Sequence, residues 1–262
     1  MTAPTSVDLD VPTSALVIAA HPDDAEFTCG ATLAKWSRLG TTVHHLVLTD
    51  GSKGTWDRHV DTAALVVRRT LEQRAAAAAL GATGEVVMLG EVDGELGTDH
   101  ELRGRVAEVI RRLRPAVVLG HDPWKRYRLH PDHHAAGRLC IDGIVAARDP
   151  FFHPELLAGG LEPHRPDALL LFEAEVVDHV ELVTERDLLA KTDALEAHES
   201  QLETTHFHRV AGAEDALVAF RERERRLLID AAADLDTAQG PGARGEAAPL
   251  LGEGFHLIVD QL

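Results

Sequence analysis

Short apolar runs alternate with longer segments of helical periodicity through most of the chain. Ala15 to Ala20 (ALVIAA) is continuously apolar and β-branched in its middle, the pattern of a strand buried on both faces. Leu33, Trp36 and Leu39 then recur at helical spacing within 28–39, and Gly40 supplies a stop. Residues 42–48 read as a second strand, 61–80 as a long Ala- and Arg-rich helix closed by Gly81, and 85–89 as a third strand. A helix over 102–113, stopped by Pro115, leads to a fourth strand at 116–120. Pro131 fits the first turn of the next helix, where no intrahelical donor is needed, and 135–147 continue it. The Pro- and Gly-containing stretch 151–166 reads as a long surface loop. Strands at 168–172 and 179–183, helices over about 185–202 and 213–235, and an edge strand over 255–259 complete the pattern. The Gly, Ala and Pro-rich segment 237–249 reads as mobile.

Strands alternating with helices predict an α/β fold, a mostly parallel sheet with helices on both faces. A length of 262 residues can bury one large core, and no linker marks a second domain. The expectation is one domain, 1–262, with its core at about 15–202 and a helical, partly mobile extension over 203–262. Ligands of such sheets collect beyond the carboxyl ends of the strands, where strand order reverses. An order of 3-2-1-4-5 makes the first and fourth strands neighbours at that reversal.

Each of those two strands runs into a cluster of histidine, proline and aspartate: His21-Pro22-Asp23-Asp24 and His130-Pro131-Asp132-His133. A catalytic zinc takes three protein ligands from His, Asp or Glu and keeps a position open for water. His21, Asp24 and His133 supply two imidazoles and a carboxylate. Asp23, beside them, is the candidate base for a metal-acidified water. His130 is placed to donate a hydrogen bond to a developing oxyanion, with Asp132 holding it as imidazolium. A lone His-Asp pair at a strand end is more often a loop cap than a ligand set; two on neighbouring strand ends make the metal reading the stronger. The remaining histidines, among them His44, His45, His59 and His100, read as ordinary core or surface residues.

Composition narrows the partners. The formal charge of −17, without any Lys/Arg tract, repels phosphate backbones and anionic membranes, so neither nucleic acid nor a membrane is an expected partner. Two cysteines, Cys29 and Cys140, exclude a disulfide framework and fit a reducing compartment. With no leader-like segment, the expected location is the cytoplasm. The loop Thr49-Asp50-Gly51-Ser52-Lys53-Gly54 follows a strand but lacks the spacing of a phosphate-binding loop, so a plain loop on the active face is the better reading. Trp56, Trp124, Tyr127 and the 151–166 loop serve either the pocket or subunit contacts of a homo-oligomer.

The run AHPDDAEFTCGATLAKW, then LTDG, VRRTLEQ, LGEVDGEL, HPDHHAAG and AHESQ resemble the PIG-L or LmbE-like family of zinc-dependent N-deacetylases over most of residues 16–201. The resemblance implies a Rossmann-like fold and hydrolysis of an N-acyl group, typically N-acetyl on an amino sugar, so the expected partner is a small N-acylated molecule. By motif position it implies zinc on His21, Asp24 and His133, a base at Asp23 and oxyanion support from His130. It also implies that Arg69 and Asp93 contact substrate hydroxyls; for Arg69 a salt bridge along its own helix is the even alternative. Ala25 and His134 depart from the family's usual residues, which leaves substrate preference open. Two other classes compete: a metal-holding sugar-binding module without turnover, which has no need of Asp23, and a nucleotide-binding protein, which lacks its glycine fingerprint.

Overall fold

The computed structural model describes residues 4–238 and 248–262. In chain order the strands are β1 (Ser6–Val7), β2 (Ser14–Ala19), β3 (Thr42–Thr49), β4 (Val86–Glu91), β5 (Val117–His121), β6 (Ala168–Phe172), β7 (His179–Val183) and β8 (Leu251–Ile258). The α-helices are α1 (Asp24–Arg38), α2 (Thr62–Ala79), α3 (His100–Leu113), α4 (Pro131–Arg148), α5 (Pro154–Ala158), α6 (Glu185–Glu196) and α7 (Ala216–Ala238). They build one sheet in the order β1-β7-β8-β6-β5-β2-β3-β4. Within it β4-β3-β2-β5-β6 is parallel and realises the expected 3-2-1-4-5 order, with β2 and β5 paired from Ala15–Val117 to Ile18–Gly120. The fold is α/β and Rossmann-like, with helices on both faces of the sheet.

Strand alternation explains the two layers. Leu16, Ile18, Leu46, Leu48 and Val118 face α3 and α4, joined by Val106, Ile110, Leu139 and Ile144. Ala15, Val17, Val43 and Leu119 face the other way, onto Leu33 and Trp36 of α1, Ala76 of α2 and Ala194 of α6. Both faces of β2 are therefore covered, which is why ALVIAA carries no polar position. α2 starts where Asp61 accepts hydrogen bonds from the amides of Ala63 and Ala64.

Three expectations are corrected. The C-terminal strand is not an edge: β8 lies antiparallel between β6 and β7, and the edge belongs to β1, a two-residue strand too short to show a periodicity. The 151–166 loop contains α5. The helix from 185 ends at Glu196, and 3-10 and π turns carry the chain from Glu199 to Val210. Most of the 237–249 segment lies outside the described residues. Among the described residues no helix is long and apolar enough to cross a membrane.

Candidate metal centre

The pairing of β2 with β5 brings the two His/Asp clusters to one rim, and each feeds a helix N-terminus there. Asp23 is the residue before α1, with φ 96° and ψ −22°, and His130 is the residue before α4, with Pro131 in its first turn. Left-handed backbone at a non-glycine residue costs about 1–2 kcal/mol, a strain characteristic of functional positions.

Donor atoms of three predicted ligands converge. His21 Nδ1 lies 3.2 Å from Asp24 Oδ2, His133 Nε2 lies 3.4 Å from Asp24 Oδ1, and the two imidazole nitrogens are 3.3 Å apart. Tetrahedral ligands at about 2.0–2.1 Å from zinc stand roughly 3.3 Å from one another. These spacings are of that size, with Asp24 facing His21 through Oδ2 and His133 through Oδ1. Overlapping groups with donor atoms within 4.8 Å of one another are His21, His130 and His133; Asp24, His121 and His133; and His21, Asp93 and Asp132.

Charges in the site interlock. Burial works against a cationic His21, yet hydrogen bonds to Asp132, Asp24 and Asp93 carry its pKa up to about 12, so a proton occupies the place where carboxylates gather. Burial likewise opposes ionised Asp24, but His133, His121 and His21 hold it well below the usual carboxylate range. Asp23 behaves differently: burial raises it to about 6, only partly countered by Arg69 and His198.

Asp132 does not hold His130, as the sequence suggested. Its Oδ2 lies 3.1 Å from His21 Nε2 and accepts from the Gly94 amide, while Oδ1 accepts from the Leu96 amide at 3.2 Å. With Nδ1 of His21 turned toward the ligand cluster, its other nitrogen donates to Asp132, the usual way a carboxylate fixes a ligating imidazole. His130 has no side-chain hydrogen bond among the described residues; its ring stands edge-on to His21 at 4.6 Å. Burial and the charge on His21 both lower its pKa.

Asp93 and Arg69 both line the pocket, which has a volume of about 380 Å³. Asp93 accepts from the Lys53 amide at 3.1 Å and lies 3.3 Å from His21 Nε2. Arg69 forms no salt bridge along its helix, because Glu72 is taken by Arg68 and Ser200. Instead its guanidinium donates to the carbonyls of Pro22 at 2.6 Å and Gly51 at 3.0 Å and lies 3.5 Å from Asp23. The glycines of the 49–54 loop serve this packing: a Cβ at Gly51, where φ is +66°, would fall 2.6 Å from Arg69 Nη1, and one at Gly54 would collide with the same atom.

Sequence reasoning missed the outer supports. His121 ends β5 with Nε2 3.5 Å from Asp24, and Glu173, just past β6, lies 3.6 Å from His121, 3.7 Å from His133 and 3.1 Å from Arg128. Burial opposes its charge, but these groups hold Glu173 at about 2. The AHESQ stretch proves to be a brace: His198 lies 3.5 Å from Glu26, Ser200 donates to Glu72, and Gln201 donates to the Gly54 carbonyl at the pocket wall. His121 ends its strand nine residues before the second cluster begins, and Glu173 is a single acid beyond a strand, so neither carried a spacing signal.

Known proteins resemble this chain in sequence and in fold. The family model described as GlcNAc-PI de-N-acetylase, PIG-L, matches residues 16–144. A diacetylchitobiose deacetylase of Thermococcus kodakarensis is 37% identical over 187 residues, 71% of this chain and 69% of that protein. A 1D-myo-inositol 2-acetamido-2-deoxy-alpha-D-glucopyranoside deacetylase of Kineococcus radiotolerans is 31% identical over 169 residues, 53% of this chain and 46% of that protein, so the chain spans about half of that relative. A 4-oxalmesaconate hydratase of Pseudomonas putida is also similar, at 32% over 165 residues, 59% of this chain and 62% of that protein. Among solved structures, the N,N'-diacetylchitobiose deacetylase of Pyrococcus horikoshii, in complex with its inhibitor, superimposes with a TM-score of 0.78 at 26% identity, covering 95% of this chain and 84% of that one.

Proposed function

The chain belongs to the PIG-L family, and from that premise we propose that it is a zinc-dependent hydrolase that removes an N-acetyl group from an amino-sugar-type amide, with Asp23 as general base. One observation supports this most: the side chains of His21, Asp24 and His133 meet at 3.2–3.4 Å, Asp24 through one oxygen to each histidine, and between His21 and Asp24 in the chain stands a buried carboxylate whose pKa is raised toward neutrality. A base is most effective when its pKa lies near the working pH, and Asp23 at about 6 meets that condition.

His21, Asp24 and His133 would hold the metal, which when bound would supply polarisation of the amide carbonyl and a more acidic water. Asp23 takes a proton from the attacking water as its oxygen bonds to the carbonyl carbon. The same proton passes from Asp23 to the amine nitrogen as the C–N bond breaks, while the second water proton stays on the new carboxyl group, so water and amide give acetic acid and amine, which equilibrate in neutral solution to acetate and ammonium. His130, on the pocket wall, donates a hydrogen bond to the carbonyl-derived oxygen. Asp132, 3.1 Å from His21 Nε2, keeps the ring turned with Nδ1 toward Asp24 and His133, where it would ligate a bound metal. Arg69 and Asp93 border the space where hydroxyls of the sugar would lie.

A panel of N-acetylglucosamine conjugates, incubated with zinc-loaded protein and assayed for free amine and acetate in equal amounts, tests the reading. Stoichiometric zinc with no amine from any member of the panel would favour a binding module, and water addition to an unsaturated acid would favour a hydratase.

A further inference from the structure

A single peptide group separates Pro22 from Asp23, and two side chains of one helix grip both of its ends. Its carbonyl, on Pro22, accepts from Arg69 Nη2 at 2.6 Å. Its N–H, on Asp23, donates to Gln73 Oε1 at 3.1 Å. Arg69 and Gln73 are four apart in α2, hence on one face, and both are buried. The Gln73 amide cannot serve in the other orientation, because its Nε2 donates to Glu26 Oε1 at 2.8 Å; reversal would set a donor against the Asp23 N–H and an acceptor against a carboxylate. Glu26 in turn is completely enclosed, with His45 at 3.8 Å and His198 at 3.5 Å.

We propose that Gln73 and Arg69 are positioning residues that lock the Pro22–Asp23 peptide and so hold the Asp23 carboxylate where it can reach the attacking water. The proposal rests on the reading of Asp23 as base. Asp23 sits at φ 96°, a conformation that an aspartate leaves unless its neighbours over-determine it. Freed of Gln73, the peptide turns toward negative φ and swings the carboxylate, since φ rotation carries Cβ with it. A displacement of about 1 Å at a catalytic group costs on the order of 10² in rate. The VRRTLEQ stretch thereby gains a reason for both its arginine and its glutamine: one accepts no proton and can only donate to the carbonyl, the other supplies the acceptor for the amide.

The test uses zinc-loaded protein and an N-acetylglucosamine conjugate. Gln73→Leu is expected to lower kcat about 10²-fold with KM and zinc content within about twofold of the parent. Amide exchange at Asp23, followed residue by residue, is expected to accelerate in the same variant. Gln73→Glu alone sets two carboxylates face to face and is expected to lose at least about tenfold in kcat; adding Glu26→Gln restores one donor between the two side chains and one acceptor for the Asp23 amide, and kcat should return to within about fivefold. The proposal is overturned if Gln73→Leu keeps its kcat, if Asp23 exchange is unchanged, or if the double variant is no better than Gln73→Glu. Asp23→Asn separates the two readings: normal turnover in that variant would sink the base assignment, while Asp23 exchange in Gln73→Leu would still decide the clamp.

Discussion

Replacing Asp23 by asparagine should make the metal-free protein more stable and cost the zinc-loaded protein most of its turnover. Burial carries the Asp23 carboxyl from its ordinary 3.8 to about 6, so the folded state prefers it protonated. A group raised in this way contributes stability that is complete below pH 3.8 and lost as pH rises through 6. The rise of about two pKa units at about 1.4 kcal/mol each amounts to roughly 3 kcal/mol of stability forgone above pH 6. Asparagine has no charge to bury, and it tolerates left-handed backbone better than most residues. For a chain of this size, about 2–4 °C per kcal/mol translates the gain into a Tm rise of roughly 6–12 °C at pH 8. The assay is thermal or urea unfolding of chelator-treated parent and variant from pH 4.5 to 8. The gap between them should widen as pH rises and level off above about 6.5. Loss of the base should at the same time lower kcat of the zinc-loaded variant about 10² to 10⁴-fold without loss of zinc. A gap that does not change with pH, or a variant less stable than the parent at pH 8, would refute the burial argument.

Glu173→Gln should weaken zinc binding by about 10–100-fold, measured by competition with a chromophoric chelator, because the carboxylate beside His121 and His133 orients the ligand shell and carries a charge the amide lacks. An unchanged zinc affinity would leave Glu173 with a purely structural part. Lys191→Ala should lower Tm steeply. Its buried ammonium donates to Glu253 and to the Phe27 carbonyl at 2.8 Å each, and removing it leaves the buried Glu253 charge with only the amides of Ala31 and Thr32, at about 3–5 kcal/mol, or roughly 6–20 °C by melting. A drop under about 3 °C would show that Glu253 finds other partners.

The parallel core was legible because β2 and β6 are built on continuous apolar runs, and because two motifs with one composition stood at or beyond the ends of strands that a doubly wound order makes neighbours. Asp23, Asp24, His21 and His133 came with the motifs. What escaped the sequence did so for physical reasons. β8 is antiparallel and reaches its interior place only after the chain has crossed the sheet, a long-range pairing without local trace. Glu173 and His121 act on the site through tertiary proximity alone. The role of Asp132 turned on which of two histidines its side chain faces, and that depends on the Gly94 and Leu96 amides, some thirty-six residues or more away in the chain. Arg69 seemed open to a partner on its own helix, yet its neighbour Arg68 took Glu72, which left Arg69 turned toward the loop carbonyls.

Titrating zinc into chelator-treated protein, while following amine released from an N-acetylglucosamine conjugate, tests the account most directly. Activity should be absent before zinc, rise linearly, and break at one equivalent. In His21→Ala, Asp24→Ala and His133→Ala that break should be lost together with tight zinc binding, whereas Asp23→Asn should bind one equivalent and stay inactive. Amine release from metal-free protein, or full zinc binding in all three ligand variants, would contradict the central claim.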